Sequence, residues 1–167
     1  MDTVKQEEQF LLVIEQHKGI IYKIANSFKK DEEDKKDLVQ EIIFQLWRSF
    51  STYDHRTKIS TWMYRVALNV AITSYRKEKR KNELIKPLND AMITFTVEEE
   101  PGINDSDLQV LQQFINELKE LDRALMLLYL EEKSGKEIAE ILGLSETNIR
   151  TKINRIKEGL KRRFSSG

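Results

Sequence analysis

The residues best suited to chemistry in this sequence are the basic side chains of two separate clusters. Residues 145–163 contain seven Lys or Arg and two acids, and residues 76–86 contain six and two. Residues 87–107 contain six acids and no base, although the 167-residue chain balances 28 basic against 28 acidic residues. Phosphate contacts depend on local charge, so the clusters favour a nucleic-acid ligand. Solvated helix faces would give the same pattern, and charge alone leaves both interpretations open.

Residues for catalysis or metal binding are scarce. The chain has no Cys, and its two histidines, His17 and His55, are not at the spacing of metal ligands on a helix. It also lacks the glycine-rich phosphate loop of nucleotide hydrolases. We therefore predict no metal, no cofactor and no active site of its own.

The C-terminal cluster coincides with the spacing of a helix-turn-helix in residues 134–164. Ala139 is small where the second helix must approach, Gly143 suits a turn with positive φ, and Ser145 can cap the second helix. The core of the two helices would consist of Ile138, Leu142, Leu144, Ile149 and Ile153. Such a motif places its second helix in the major groove of DNA.

The outer face of this second helix can contact both bases and phosphates. The side chains near its start that can reach base edges are Glu146, Thr147, Arg150 and Thr151, and Lys152 and Arg155 extend the positive charge toward phosphates. The alternative is a plain helical hairpin with a basic exterior. The coincidence of small residue, glycine, cap and basic helix favours DNA binding.

The helix predicted over residues 58–81 offers a second candidate surface. Its polar stripe, opposite a broad apolar arc at about 100° per residue, consists of Arg65, Asn69, Arg76 and Arg80. Trp62 and Tyr64 lie beside this stripe, where aromatic rings can stack on unpaired bases. Trp62 fits the core of the helical unit equally well, so its role stays open at this point.

The helix predicted over residues 37–50 has a different character. The side chains outside its apolar seam are Asp37, Gln40, Glu41, Gln45 and Arg48. An acidic and amide face repels phosphates and suits docking to another protein. An ordinary amphipathic helix would present the same face.

Composition and periodicity predict an all-α protein. Only two Pro and six Gly interrupt the chain, and apolar residues recur at intervals of three and four. We expect helices over residues 4–29 with a break at Gly19, 37–50, 60–81 with Ser60 as N-cap, 107–119, 121–132, 134–142 and 145–164. They would form two small helical domains, 1–83 and 107–167, joined by an acidic linker, 84–106, which holds both prolines. Since no apolar run nears 18 residues and the N-terminus is polar, we expect a cytoplasmic protein without membrane insertion.

Three stretches of the sequence carry a family likeness. They read DLVQEIIFQLWRSFSTYD, ISTWMYRVALNVAITSYRKEKR and EIAEILGLSETNIRTKINRIKEGLKRRF. In this order and spacing they resemble bacterial RNA polymerase sigma factors of the sigma-70 family, in its extracytoplasmic-function (ECF) group. The resemblance implies a helical bundle, sigma region 2, followed by an acidic linker and a helix-turn-helix domain, sigma region 4.

The resemblance also implies a role for each surface. Region 2 would bind the β′ clamp helices of core RNA polymerase through Asp37, Gln40, Glu41, Gln45 and Arg48. It would recognise and melt the −10 promoter element, with a loop containing Asp54, Arg56 and Lys58 holding a flipped base and with Trp62, Tyr64, Arg65, Asn69, Arg76 and Arg80 along the strand path. Region 4 would read the −35 element with Glu146, Thr147, Arg150, Thr151, Lys152 and Arg155, and would dock on the β flap.

The implied function is that of a specificity subunit that directs core polymerase to promoter DNA. An anti-sigma factor is a further candidate partner by analogy.

Two alternatives to a sigma factor remain. A free-standing helix-turn-helix regulator would leave residues 37–50 and 58–81 without a role. A helical interaction protein would show no DNA affinity.

Overall fold

The chain folds into seven helices in a computed structural model that describes residues 2–84 and 105–165. They are α1 (Asp2–Phe28), α2 (Glu32–Phe50), α3 (Ile59–Leu84), α4 (Asp105–Glu117), α5 (Glu120–Leu130), α6 (Gly135–Leu142) and α7 (Glu146–Ser165). The all-α prediction is confirmed. The predicted linker, 84–106, lies almost entirely outside the described residues.

Helices α1–α3 pack against one another as the N-terminal unit, and their boundaries differ from the predicted ones for physical reasons. α1 breaks at His17, where φ is −119° and ψ is 17°, and not at Gly19. α2 begins at Glu32 because three acids in its first turn face the positive end of the helix dipole. Ser60 lies inside α3 and is not its N-cap, since the Trp62 amide already donates to the Lys58 carbonyl, 3.1 Å away.

Helices α4–α7 form the C-terminal unit, and their bounds follow the predicted spans closely. The middle of α5, from Arg123 to Leu128, is buried. α4 packs along α7, where the Phe114 ring lies against Gly159 and the Arg163 guanidinium pairs with Glu117. These contacts hold the last helix of the motif to the first helix of the unit.

The two units pack together, with α3 between them. α3 contacts α1 and α2 on one side and α5 and α6 on the other. Its buried residues therefore include Tyr64, Leu68 and Ile72, which the predicted apolar arc left out. One continuous apolar cluster runs through both units as a result.

Candidate nucleic-acid and protein interfaces

The turn between α6 and α7 has the geometry of the predicted helix-turn-helix. Gly143 has φ of 72°, and its amide donates to the Ala139 carbonyl at 2.9 Å, which ends α6. Ser145 caps α7, since its Oγ accepts from the Asn148 amide at 3.1 Å. Ser134 caps α6 in the same way through the Glu137 amide, also at 3.1 Å. These bonds fix the angle between the two helices.

The outward face of α7 carries the predicted DNA-contacting residues. Glu146, Thr147, Arg150, Thr151 and Arg155 are exposed, and Lys152 is half-buried. Ile149 and Ile156 are buried on the opposite face, so packing dictates which side faces outward. All six predicted residues therefore lie on α7, and five of them are exposed.

A groove of about 490 Å³ runs beside this face, between α7 and the start of α6. Lys136 and Lys157 line it together with Arg150, and the Lys157 Nζ lies 4.6 Å from the centre of the Tyr129 ring. Sequence reasoning missed Lys136 as a site residue. The signal was available, because Lys136 stands at the N-terminal end of the first helix of the motif, where phosphates bind.

All four predicted members of the α3 stripe are exposed: Arg65, Asn69, Arg76 and Arg80. Arg76 also has a partner, because its Nε lies 2.6 Å from Glu120 Oε1 of the C-terminal unit. The hydrogen bond from Arg76 is the main reason why the pKa of the Glu120 carboxyl is below its usual range.

Tyr64 does not belong to that stripe, and its predicted place along a DNA strand is corrected for this conformation. The side chain is only 3% exposed. The Lys133 Nζ lies 5.4 Å from the ring centre. Burial first, and then the charges of Glu131 and Glu137, raise the pKa of Tyr64 to about 12. Tyr64 is buried by tertiary packing, because Lys133, Glu131 and Glu137 belong to the C-terminal unit.

The loop of residues 51–58 places its charged side chains around an aromatic cluster. Asp54, Arg56 and Lys58 are exposed. Asp54 orders the loop by accepting from the Arg56 amide at 3.1 Å. The Tyr53 ring lies 5.1 Å from Trp62 and 4.6 Å from His55, and its hydroxyl donates to the Thr57 carbonyl.

Trp62 lies at the boundary between the core of the N-terminal unit and the loop. It is half-buried and packs on Phe50 with 6.1 Å between ring centres, and its other neighbour is Tyr53 of the loop. One edge belongs to the core of the N-terminal unit and the other to the rim of the loop.

The face of α2 carries the predicted protein-docking residues and one that was missed. Asp37, Gln40, Glu41 and Arg48 are exposed, and Gln45 is half-buried. Phe44 is 53% exposed among them, with the Arg48 guanidinium carbon 5.8 Å from its ring centre. Phe44 could have been identified from sequence, because it falls off the Leu38–Ile42–Leu46 seam that is buried.

A groove of about 690 Å³ between α2 and α3 links two of these surfaces. Glu41 and Gln45 line one wall and Asn69 and Lys77 the other. Lys29 closes it at one end through an ion pair of 2.6 Å with Glu78. The candidate docking face and the candidate strand path therefore adjoin.

The described residues contain neither a grouped set of metal ligands nor a membrane-spanning helix. Within 2–84 and 105–165, no three His, Asp or Glu side chains are grouped as a metal site would require. Over the same residues, no helix combines the length and apolar character needed to cross a membrane.

Two family descriptions match the sequence, one for each unit. Sigma-70 region 2 matches residues 13–81, and sigma-70 region 4 matches residues 108–160. The first match covers most of the N-terminal unit, including α2 and nearly all of α3. The second covers nearly all of the C-terminal unit.

Relatives match over most of their length. The ECF RNA polymerase sigma factor SigM of Bacillus subtilis is 30% identical over 88% of this chain and 90% of its own. SigV of the same organism, an RNA polymerase sigma factor, is 31% identical over 90% and 89%.

Among solved structures, the fold is similar to that of the sigma factor RpoE in complex with the anti-sigma factor NepR from Bartonella quintana. The TM-score is 0.69 at 19% identity, covering 95% of this chain and 96% of that one. CnrH in complex with the cytosolic domain of CnrY matches with a TM-score of 0.67 at 20% identity, covering 96% and 90%. The two matched regions and the relatives agree that the chain belongs to the ECF group of the sigma-70 family of RNA polymerase sigma factors.

Proposed function

We propose that this sigma factor divides its work among three surfaces, one for core polymerase and two for promoter DNA. Its family function is to bind core RNA polymerase and direct transcription initiation at promoters. The observation that carries the assignment of surfaces is that charged and amide side chains are exposed on α2, on α3 with its preceding loop, and on α7, while the apolar seams of these helices are buried. The domains we propose are residues 1–83 for region 2, 84–106 for the linker and 107–167 for region 4.

The exposed face of α7 reads the −35 element. Arg150 and Thr151 stand near the start of the helix, which is the part that reaches base edges in the major groove. Arg155 and the groove lysines Lys136 and Lys157 hold phosphates on either side of it. The capped, glycine-terminated turn supports this role because it sets the angle at which α7 can enter the groove.

The loop of residues 51–58 and the α3 stripe act on the −10 element. Extruding a base from a duplex costs a few kcal/mol, which stacking and a fitted pocket can offset. Tyr53 and Trp62 supply the aromatic surface, and Asp54 holds the loop in shape. Arg65, Asn69 and Arg80 continue from the pocket along the exposed side of α3.

The α2 face docks on the polymerase, through the β′ clamp helices. An exposed aromatic residue, Phe44, ringed by Asp37, Gln40, Glu41 and Arg48 has the arrangement of an interface with an apolar centre and a polar rim. The C-terminal unit docks on the β flap. The sigma factor has no active site of its own, since the polymerase forms the phosphodiester bonds, and it works in the cytoplasm.

Run-off transcription tests this function. Sigma-free bacterial core polymerase is incubated with genomic promoter fragments, with and without this protein, and a sigma factor gives discrete new transcripts that require it. Polymerase with heat-denatured protein is the control. Absence of transcripts together with tight duplex binding by the protein alone would instead identify a free-standing regulator.

A further inference from the structure

The centre of the outward face of α7 is uncharged and is occupied by two threonines. Thr147 and Thr151 are both exposed. At about 100° per residue, they fall roughly opposite the buried Ile149 and Ile156. The side of a recognition helix that is opposite its buried seam enters the major groove, where the base edges are. The two threonines are therefore placed to meet bases.

Cations flank this uncharged centre on both sides. Arg150 and Lys157 line the groove beside the start of α6, and Arg155 is exposed. At about 100° per residue, Arg150 and Lys157 fall on one side of the threonines and Arg155 falls on the other. Because the phosphates border the major groove on both sides, this arrangement leaves the phosphates to the cations and the bases to the threonines.

The hydroxyl group of Thr151 is already engaged within the helix. Its Oγ1 donates to the Thr147 carbonyl at 3.0 Å. A hydroxyl has a single proton to donate, so Thr151 cannot donate to a base without losing this bond. The β-branched side chain is stiff about χ1, and the bond selects the rotamer that turns the oxygen back toward the preceding turn. The methyl group is then the main part of this exposed side chain that a ligand can contact.

We propose that Thr151 recognises a thymine of the −35 element through contact between its methyl group and the 5-methyl group of the base. The inference rests on the proposed function of α7 and names the base feature that one of its residues reads. Thymine is the one base that presents a methyl group in the major groove, so an apolar contact at this point distinguishes it from the other three. Thr151 is thus a specificity residue that needs no hydrogen bond to the base.

The competing possibility is a hydrogen bond to a different base. The Oγ1 of Thr151 could accept from the amino group of adenine or cytosine. That bond requires the oxygen to face the base, whereas the oxygen lies against the Thr147 carbonyl. The observed hydrogen bond therefore favours the methyl contact, and substitutions at Thr151 separate the two.

Binding to duplexes that contain deoxyuridine tests the methyl contact. The probe is a duplex that the full-length protein, alone or with sigma-free core polymerase, selects from a library of random sequences. Each thymine of the selected duplex is replaced in turn by uracil, which lacks only the 5-methyl group. At one thymine, we expect the wild-type protein to bind the uracil duplex about three- to fivefold more weakly than the thymine duplex.

Two variants of Thr151 identify the group that reads this methyl. Thr151→Ser keeps the hydroxyl and removes the methyl group, so it should bind the thymine and uracil duplexes equally. Thr151→Val keeps a methyl group and removes the hydroxyl, so it should retain the wild-type ratio of the two affinities. Thr73→Ser is the matched control, because it makes the same change at an exposed threonine of α3, and it should also retain that ratio. Circular dichroism checks that each variant keeps its helix content.

Three outcomes would overturn the proposal. The first is a wild-type ratio near one at every thymine, and the second is a ratio that survives in Thr151→Ser. The third is a selection without an enriched sequence, which would also overturn the proposed role of α7 at the −35 element. Failure of the methyl contact alone is distinct from that result, because the selected sequence and the run-off transcripts do not depend on a single methyl group.

Discussion

The Nζ of Lys29 lies 2.6 Å from Oε1 of Glu78, and the lysine side chain is only 5% exposed. The pair fastens the end of α1 to α3. Removing Glu78 leaves a buried ammonium group without its partner, which is costly. Replacing Lys29 with an apolar side chain leaves only the half-exposed Glu78 carboxylate, which water can solvate. Because the Glu78 side chain is 46% exposed, solvent screens the pair. We therefore expect a smaller loss of stability than for a fully buried ion pair.

We therefore expect Glu78→Gln to lower the free energy of unfolding by about 1–2 kcal/mol, and Lys29→Met by less than about 1 kcal/mol. Urea denaturation followed by circular dichroism measures both. A larger loss in Lys29→Met than in Glu78→Gln would show that the ammonium group contributes net stability.

The left-handed turn at Gly143 predicts a stability difference between two glycines. Gly143→Ala places a Cβ at φ of 72° and should lower the free energy of unfolding by about 1 kcal/mol. Gly135→Ala is the matched control, because its Cβ would meet nothing within 4 Å and it starts a helix. That change should be neutral or stabilising by up to about 0.5 kcal/mol. Equal losses at both sites would contradict the role of the turn.

The proposed division of labour predicts opposite losses in two variants. Arg150→Ala should weaken binding of −35 duplex by about tenfold to a hundredfold while leaving core polymerase binding unchanged. Asp37→Ala with Gln40→Ala should weaken polymerase binding and leave −35 binding unchanged. Fluorescence anisotropy with each ligand measures the two affinities separately. Loss of the same activity in both variants would refute the assignment.

Phe44 predicts an apolar centre for the polymerase interface. Phe44→Ala should weaken core polymerase binding by at least about tenfold, because a buried aromatic anchor dominates an interface of this kind. Leu11→Ala is the control, since Leu11 is a similarly exposed apolar residue, at 65%, on a different helix. The free energy of unfolding should barely change in either. Equal affinities for the two variants would remove Phe44 from the interface.

The burial of Tyr64 predicts an alkaline transition. Its pKa is raised from 10 to about 12, so neutral Tyr64 stabilises the folded state fully below pH 10, and this stabilisation is lost as the pH rises through about 12. Absorbance of tyrosinate should show one late-titrating group that Tyr64→Phe removes. A late transition that persists in Tyr64→Phe would assign it to another tyrosine.

Much of the fold could be predicted because it is encoded locally. The seam of Leu38, Ile42 and Leu46 and the turn at Gly143 depend on residues close in sequence, and both were found where expected. The predicted boundary of α2 at Asp37 was late, because residues 32–36 are charged and lack apolar periodicity. The acidic residues of this stretch suit a helix start through the dipole, and the helix begins among them, at Glu32.

The candidate surfaces were predicted less completely, because some of their residues depend on the packing of the two units. No pattern within residues 58–81 shows that Tyr64 is covered by α5 and α6, or that Arg76 meets Glu120. The burial of Arg123 is the clearest case. Nothing in the sequence of α5 indicates that this arginine donates to the Ser27 carbonyl of α1.

The pairing of Arg76 with Glu120 has a consequence for contacts with DNA of any sequence. A guanidinium held by a carboxylate must give up that pair before it can hold a phosphate, so the pair weakens attraction to any polyanion at this part of α3. The weakening applies equally to promoter sites and to the vast excess of non-promoter sites. Discrimination between the two then has to come from contacts with bases.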